Sequence, residues 1–152
     1  MSGEPDQLIS RAHLEAIFAQ ARREFPNECC GYLVGMGEDA ELVPCENWQD
    51  RYHAVDPETY PRTAATAYTF GARDLRRMAD SFDSPRPTTI VYHSHPRVGA
   101  YFSETDTRAA LAAGWPVDYL VVDVQEDRVV EAVLFHRIGD DFEKKAVFTV
   151  GE

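Results

Sequence analysis

The residues able to do chemistry cluster at His93-Ser94-His95-Pro96 and, one short loop later, at Ser103-Glu104-Thr105-Asp106. Two imidazoles, a hydroxyl and a carboxylate supply most of a catalytic zinc site, which takes three protein ligands at about 2.0–2.2 Å and keeps a fourth position open. Thr88-Thr89-Ile90-Val91-Tyr92 is β-branched and aromatic and follows Pro85 and Pro87, so the pattern predicts a strand that ends at the histidines. Residues two apart on a strand share a face, so His93 and His95 can address one metal while Ser94 points away. Pro96 stops the strand. Ser103 at a helix start puts Asp106 in the first turn as third ligand, and the Arg97 to Phe102 loop is long enough to fold that turn against the strand end.

Each half of this constellation has a plainer reading. Ser103-x-x-Asp106 is close to a capping box, in which both side chains only satisfy free backbone N–H groups. His-x-His alone more often serves surface or structural roles than metal binding. Together they favour a metal, because a carboxylate and two imidazoles suit an ion of intermediate softness. Hydrolysis also needs a base that takes a proton from water. Glu28 is the candidate, in Pro26-Asn27-Glu28-Cys29-Cys30-Gly31, where a helix hands over to a buried strand; among 26 acidic residues, position alone singles it out only weakly.

The elements that must position these groups follow from periodicity. A first helix is expected from Ser10, its N-cap, to about Glu24, with Leu14, Ile17, Phe18 and Ala21 on one face and Pro26 ending it. Cys30 to Met36 and Glu41 to Asn47 read as a hairpin across Gly37-Glu38-Asp39. Trp48 to Thr66 is irregular and is expected to be a long surface segment, followed by a short strand over Thr66 to Phe70. A helix from Ala72 to Phe82 would bury Leu75, Met78, Ala79 and Phe82. A second helix, Glu104 to Ala113, ends at Gly114 before Trp115-Pro116, and strands follow over Tyr119 to Val124, Val129 to Arg137 and Lys144 to Val150. This order predicts an α/β (α+β) fold, a mixed sheet with helices packed on it.

At 152 residues the chain suits one domain, 1–152, with 1–9 as a flexible N-terminus. Its net charge of -11 argues against nucleic acid as a partner, because Lys and Arg clusters that neutralise phosphates are absent. No apolar run approaches the ~20 residues of a membrane span, and Met1 to Gln7 lack the features of an export signal, so no membrane partner and a cytoplasmic location are expected. Cys29, Cys30 and Cys45 form no disulfide pattern and are expected to be reduced and buried. His13, His53 and His136 lack ligand partners nearby and read as ordinary residues. Nothing here fixes an oligomeric state.

An upstream Glu, then His-x-His-Pro, a short loop and Ser-x-x-Asp is the pattern of the JAMM metalloproteases, the catalytic branch of the MPN-domain proteins, which this chain resembles over nearly its whole length. The resemblance implies a curved mixed sheet packed between helices, an MPN architecture of the cytidine-deaminase-like kind, and one zinc ion per chain. It implies that His93, His95 and Asp106 hold that ion, that Glu28 is the general base, and that the Ser103 hydroxyl helps stabilise the oxyanion. It further implies cleavage of a peptide or isopeptide bond, usually after the C-terminal Gly-Gly of a ubiquitin-like or sulfur-carrier protein. Only a short helix and turn separate Asp106 from Tyr119, which fits the compact prokaryotic type.

Three expectations attach to this reading. Capping would leave Ser103 less free to face a metal, so its oxygen is expected to turn toward the metal site and another group to satisfy the helix end; a Ser103 turned away from the site, with its oxygen only on backbone N–H groups, would rule out the oxyanion role. The Trp48 to Thr66 segment is expected to wall the site and to hold a Gly-Gly tail by strand-like pairing. Cys29 or Cys30 is a minor candidate for control by oxidation or metal capture, with at most one of them near the zinc. Competing readings are a zinc peptidase acting on short or cell-wall peptides and a non-catalytic MPN scaffold. A zinc deaminase is disfavoured, because its His-x-Glu and Pro-Cys-x-x-Cys are missing.

Overall fold

A computed structural model describes residues 8–150, so most of the expected flexible N-terminus lies outside the described residues. Ile9 within it is buried in the core. Six strands form one mixed sheet in the order β2-β1-β3-β4-β5-β6, where β1 is Cys30–Val34, β2 Glu41–Cys45, β3 Thr88–Pro96, β4 Asp118–Val124, β5 Val129–Ile138 and β6 Asp141–Thr149. All neighbours run antiparallel except β3 and β4. That parallel pair needs a crossover, and α4 (Glu104–Ala113) lies within it. The expected α+β architecture is present.

Strand β3 is central and buried along nearly its whole length, including the polar Thr88, His93, Ser94 and His95. Its two faces serve two cores. On one, α1 (Arg11–Glu24) lays Leu14, Ile17, Phe18 and Ala21 against Tyr92, Leu120 and Leu134. On the other, Val91 and Tyr119 pack with Met78 of α3 (Ala72–Ser81) and Ala110 of α4. His93 and His95 continue this second face at the end of the strand. Ser10 caps α1 by accepting from His13 N–H at 3.1 Å, and Gly114 ends α4 in the left-handed region that glycine tolerates.

Three local expectations need correction. The Trp48 to Thr66 segment is not irregular throughout: Gln49–Val55 forms a helix, α2, with Tyr52 stacked on Tyr60 at 5.0 Å. Thr66 to Phe70 is not a strand; only Phe70 bridges, to Asn47, because side chains rather than a neighbouring strand hold this stretch. In α3 only Met78 of the predicted apolar face is buried, while Leu75 is 40% exposed and lines a groove.

Candidate active site

Register determines which groups meet. Cys30 of β1 lies opposite His93 of β3. Ser94 extends that pairing, donating its N–H to Cys29 O at 3.1 Å and accepting Cys29 N–H on its hydroxyl at 2.8 Å. One residue further, the antiparallel alternation carries Glu28 opposite His95, on the histidines' face of the sheet. The backbone of Glu28 is held on both sides, by Ala64 O accepting its N–H at 2.8 Å and by Asn47 Nδ2 donating to its carbonyl at 2.9 Å.

Helix α4 brings the carboxylate. Asp106 Oδ1 lies 3.2 Å from His93 Nε2 and Oδ2 lies 3.0 Å from His95 Nε2, with the two Nε2 atoms 3.1 Å apart. Among the described residues this is the one His/Cys/Asp/Glu group arranged to hold a metal ion. The donor chemistry fits one. His95 Nδ1 faces the carbonyl of Gly99 at 3.0 Å, and a carbonyl only accepts, so Nδ1 carries the hydrogen and Nε2 is left as a lone pair. That lone pair meets a carboxylate oxygen with no hydrogen of its own to place between them, a conflict that a cation removes. Burial lowers the pKa of His93 against the pull of Asp106, favouring the neutral form that ligates. Tyr68 stacks on the His93 ring at 4.5 Å and fixes its plane.

Glu28 is 5% exposed. Burial raises its pKa to about 9, the negative charge of Asp106 adds to the rise, and Arg62 opposes it. Glu28 faces a polar cleft of about 350 Å³ together with Arg62, His95, Ser103 and Arg108. An apolar groove of about 220 Å³, lined by Phe70, Leu75, Ala109, Trp115 and Tyr119, adjoins it, with Thr66 and Thr105 common to both and Asp106 on the groove side.

Ser103 departs from expectation. Its hydroxyl accepts Asp106 N–H at 3.0 Å while Asp106 Oδ2 accepts Ser103 N–H at 3.1 Å, a complete capping box. Among the described residues no other group satisfies this helix end in its stead, and the oxygen bonds only backbone N–H, which counts against the oxyanion role. The cap uses a lone pair, however, and leaves the O–H free on the wall of the cleft.

The cysteines belong to the core. Cys29 and Cys30 lie in the two opposite apolar clusters. Cys30 shares the histidines' face, but its thiol is directed at the carbonyls of Cys45 and Glu46. Burial pushes the Cys29 thiol up to about 12, so neither chemistry nor position favours a thiolate there. Asn47, Gln49, Tyr68 and Ser94 support the site and were not singled out by sequence. Ser94 gives a signal, a hydroxyl between the two histidines on a buried strand; Asn47 gives none beyond an amide after β2.

Residues 10–135 match the family model for prokaryotic homologs of the JAB domain. The chain belongs to that family. Proteins of Mycobacterium tuberculosis and Mycobacterium bovis named CysO-cysteine peptidase are 32% identical to it over 108 residues, 68% of this chain. The matched stretch spans 65% of the length of these curated relatives. Solution structures of a Desulfitobacterium hafniense protein (22% identity, TM-score 0.63, covering 90% of this chain and 87% of that one) and of a Salinibacter ruber protein (20%, 0.58, 94% and 91%) share the fold of this JAB-domain chain. No helix among its described residues is long and apolar enough to cross a membrane.

Proposed function

We propose that this chain is a zinc-dependent peptidase, a single domain that hydrolyses the amide bond after the C-terminal Gly-Gly of a ubiquitin-like or sulfur-carrier protein. The observation that carries the reading is the convergence of His93, His95 and Asp106 on one point, with a buried Glu28 in the cleft that His95 lines. His93, His95 and Asp106 would hold the ion. Zinc in such a site supplies Lewis acidity and makes water nucleophilic at neutral pH. A cation held by these ligands would offset the burial that raises the Glu28 pKa in the metal-free chain, so that Glu28 can take a proton from water in the cleft and return it to the leaving amine. The Ser103 O–H is left with the secondary task of donating to the developing oxyanion.

The substrate's tail belongs beside Thr66 to Phe70 rather than on the folded 48–61 stretch. Asn47 occupies one edge of this segment through Ala67 O and Thr69 N–H. In extended backbone the intervening Tyr68 presents its N–H and C=O to the opposite edge, toward α4, where a tail can pair. The name of the mycobacterial relatives supports a peptidase acting on an adduct that ends in cysteine. A cytoplasmic setting belongs to the same reading and is supported by three free, buried cysteines.

The test incubates wild type and Glu28→Ala with ubiquitin-like proteins extended beyond Gly-Gly, alongside short peptides, and measures product masses. Cleavage after Gly-Gly by wild type only, with zinc retained in the variant, is expected. Equal cleavage by both proteins would end the assignment of Glu28, and cleavage of short peptides alone would redirect the substrate. No cleavage of any substrate by zinc-loaded wild type would favour a scaffold.

A further inference from the structure

The two cavities that meet at the metal ligands differ in chemistry, and the difference assigns the two sides of the scissile bond. Glu28 lines the polar cleft and not the apolar groove. The group that returns a proton to the leaving amine must lie beside that amine, so the leaving group occupies the polar cleft. Besides the candidate ligand His95, the basic side chains lining it are Arg62 and Arg108. Arg108 has Glu104 as an exposed partner at 4.0 Å. Arg62 has no ion-pair partner among the described residues, although the chain carries a net charge of -11. Its backbone is anchored, with Gln49 Nε2 donating to Arg62 O at 2.9 Å and Ala64 O bound to Glu28 N–H at 2.8 Å. The backbone that carries this exposed guanidinium without an ion-pair partner is thus held by the same short segment that holds the base.

We propose that Arg62 binds the free α-carboxylate of a single amino acid attached to the carrier's terminal glycine, which makes the protein selective for one-residue adducts. This rests on the peptidase reading above and decides a question that reading leaves open, the nature of the leaving group. In an amino acid the carboxylate lies one carbon from the amine, so an amine beside Glu28 carries its carboxylate into the cleft that Arg62 lines. An internal peptide bond would place an uncharged carbonyl there, and a lysine isopeptide a methylene chain; neither gives a guanidinium its bidentate partner. A cleft of about 350 Å³ holds a small ligand of this kind. The reaction balances with water alone: its oxygen joins the glycine carbonyl carbon, the C–N bond breaks, and a water proton passes through Glu28 to the amine.

The experiment uses the zinc-loaded full chain and a ubiquitin-like protein ending in Gly-Gly-Cys, prepared as the free acid and as the C-terminal carboxamide. The readout is the acid-to-amide ratio of kcat/KM, in which any effect of Arg62 on Glu28 itself cancels. Wild type is expected to favour the acid by ~10-fold or more, the worth of a charge-assisted hydrogen bond. Arg62→Gln brings the ratio toward one, Arg62→Lys retains part of it, and Arg108→Gln leaves it in place, all with unchanged melting temperature. Equal rates on acid and amide by wild type overturn the proposal while leaving the peptidase reading intact. A ratio lost in Arg108→Gln and kept in Arg62→Gln also overturns it. Cleavage of neither substrate by wild type brings down both readings.

Discussion

One nitrogen of Asn47 donates to the carbonyl of Glu28 at 2.9 Å and to the carbonyl of Ala67 at 3.0 Å. The amide oxygen of the same side chain accepts from Gln49 N–H at 3.0 Å and Thr69 N–H at 3.1 Å. Four bonds are the capacity of the group, and they tie the candidate base to the segment bearing Tyr68. Asn47 is therefore a positioning residue. Asn47→Ala strands four backbone groups and should cost ~2–4 kcal/mol in denaturant unfolding. Asn47→Asp keeps the two acceptor bonds and loses the two donor bonds, so it should retain zinc yet lower kcat more than it raises KM.

Asp106 serves two masters, and substitutions separate them. Asp106→Asn keeps an oxygen able to accept Ser103 N–H, so the helix cap survives while the ion loses its anionic ligand. Metal analysis should find zinc lost from Asp106→Asn and from His93→Ala, with α4 preserved in the former by circular dichroism. Chelation of wild type should abolish cleavage, and added zinc should restore it.

The pH behaviour of the metal-free protein follows from Glu28. Its folded pKa of about 9 exceeds the ordinary value of 4.5, so between these values the folded state binds more protons than the unfolded state. Stability from this group is greatest below about 4.5 and falls as pH rises toward about 9, by an amount of the order of a few kcal/mol. Glu28→Gln should remove that slope. Its melting temperature should exceed that of the metal-free wild type at pH 8 and approach it at pH 5; a constant difference across this range would contradict the raised pKa.

Ser103 can be tested as cap and as donor independently. Glycine is nearly as good an N-cap as serine, whereas alanine costs about 1 kcal/mol. Ser103→Gly should therefore melt close to wild type. If the free O–H supports the oxyanion, turnover by the glycine variant should fall ~10²–10³-fold with zinc retained. Turnover that stays near wild type in Ser103→Gly and falls only with the stability of Ser103→Ala would leave the hydroxyl as a cap alone.

The arrangement of the candidate ligands is legible in the sequence because it depends on short-range rules. Strand alternation put His93 and His95 on one face, and the Ser103 start of α4 placed Asp106 in the first turn. The helix ends at Ser10 and Gly114 were legible for the same reason. The Thr66 to Phe70 stretch departs from its strand-like sequence because its backbone partners are the side chain of Asn47 and the N–H of Trp48, remote in sequence, rather than a neighbouring strand. The exposed Leu75 defeated the periodicity argument in α3, since its neighbour is a groove rather than a core. At Ser103 the orientation expected from sequence fails because the hydroxyl itself caps α4, while its O–H is not used by that cap.

The capping box has a thermodynamic consequence. The carboxylate that closes the first turn of α4 is also the one aimed at the metal position, so ordering of that turn and occupancy of the site are linked equilibria. An ion that gathers His93, His95 and Asp106 favours conformations in which Glu104 to Thr107 are wound, and a frayed first turn withholds a ligand. Hydrogen exchange at the amides of this turn would then slow on zinc addition, well before any substrate arrives.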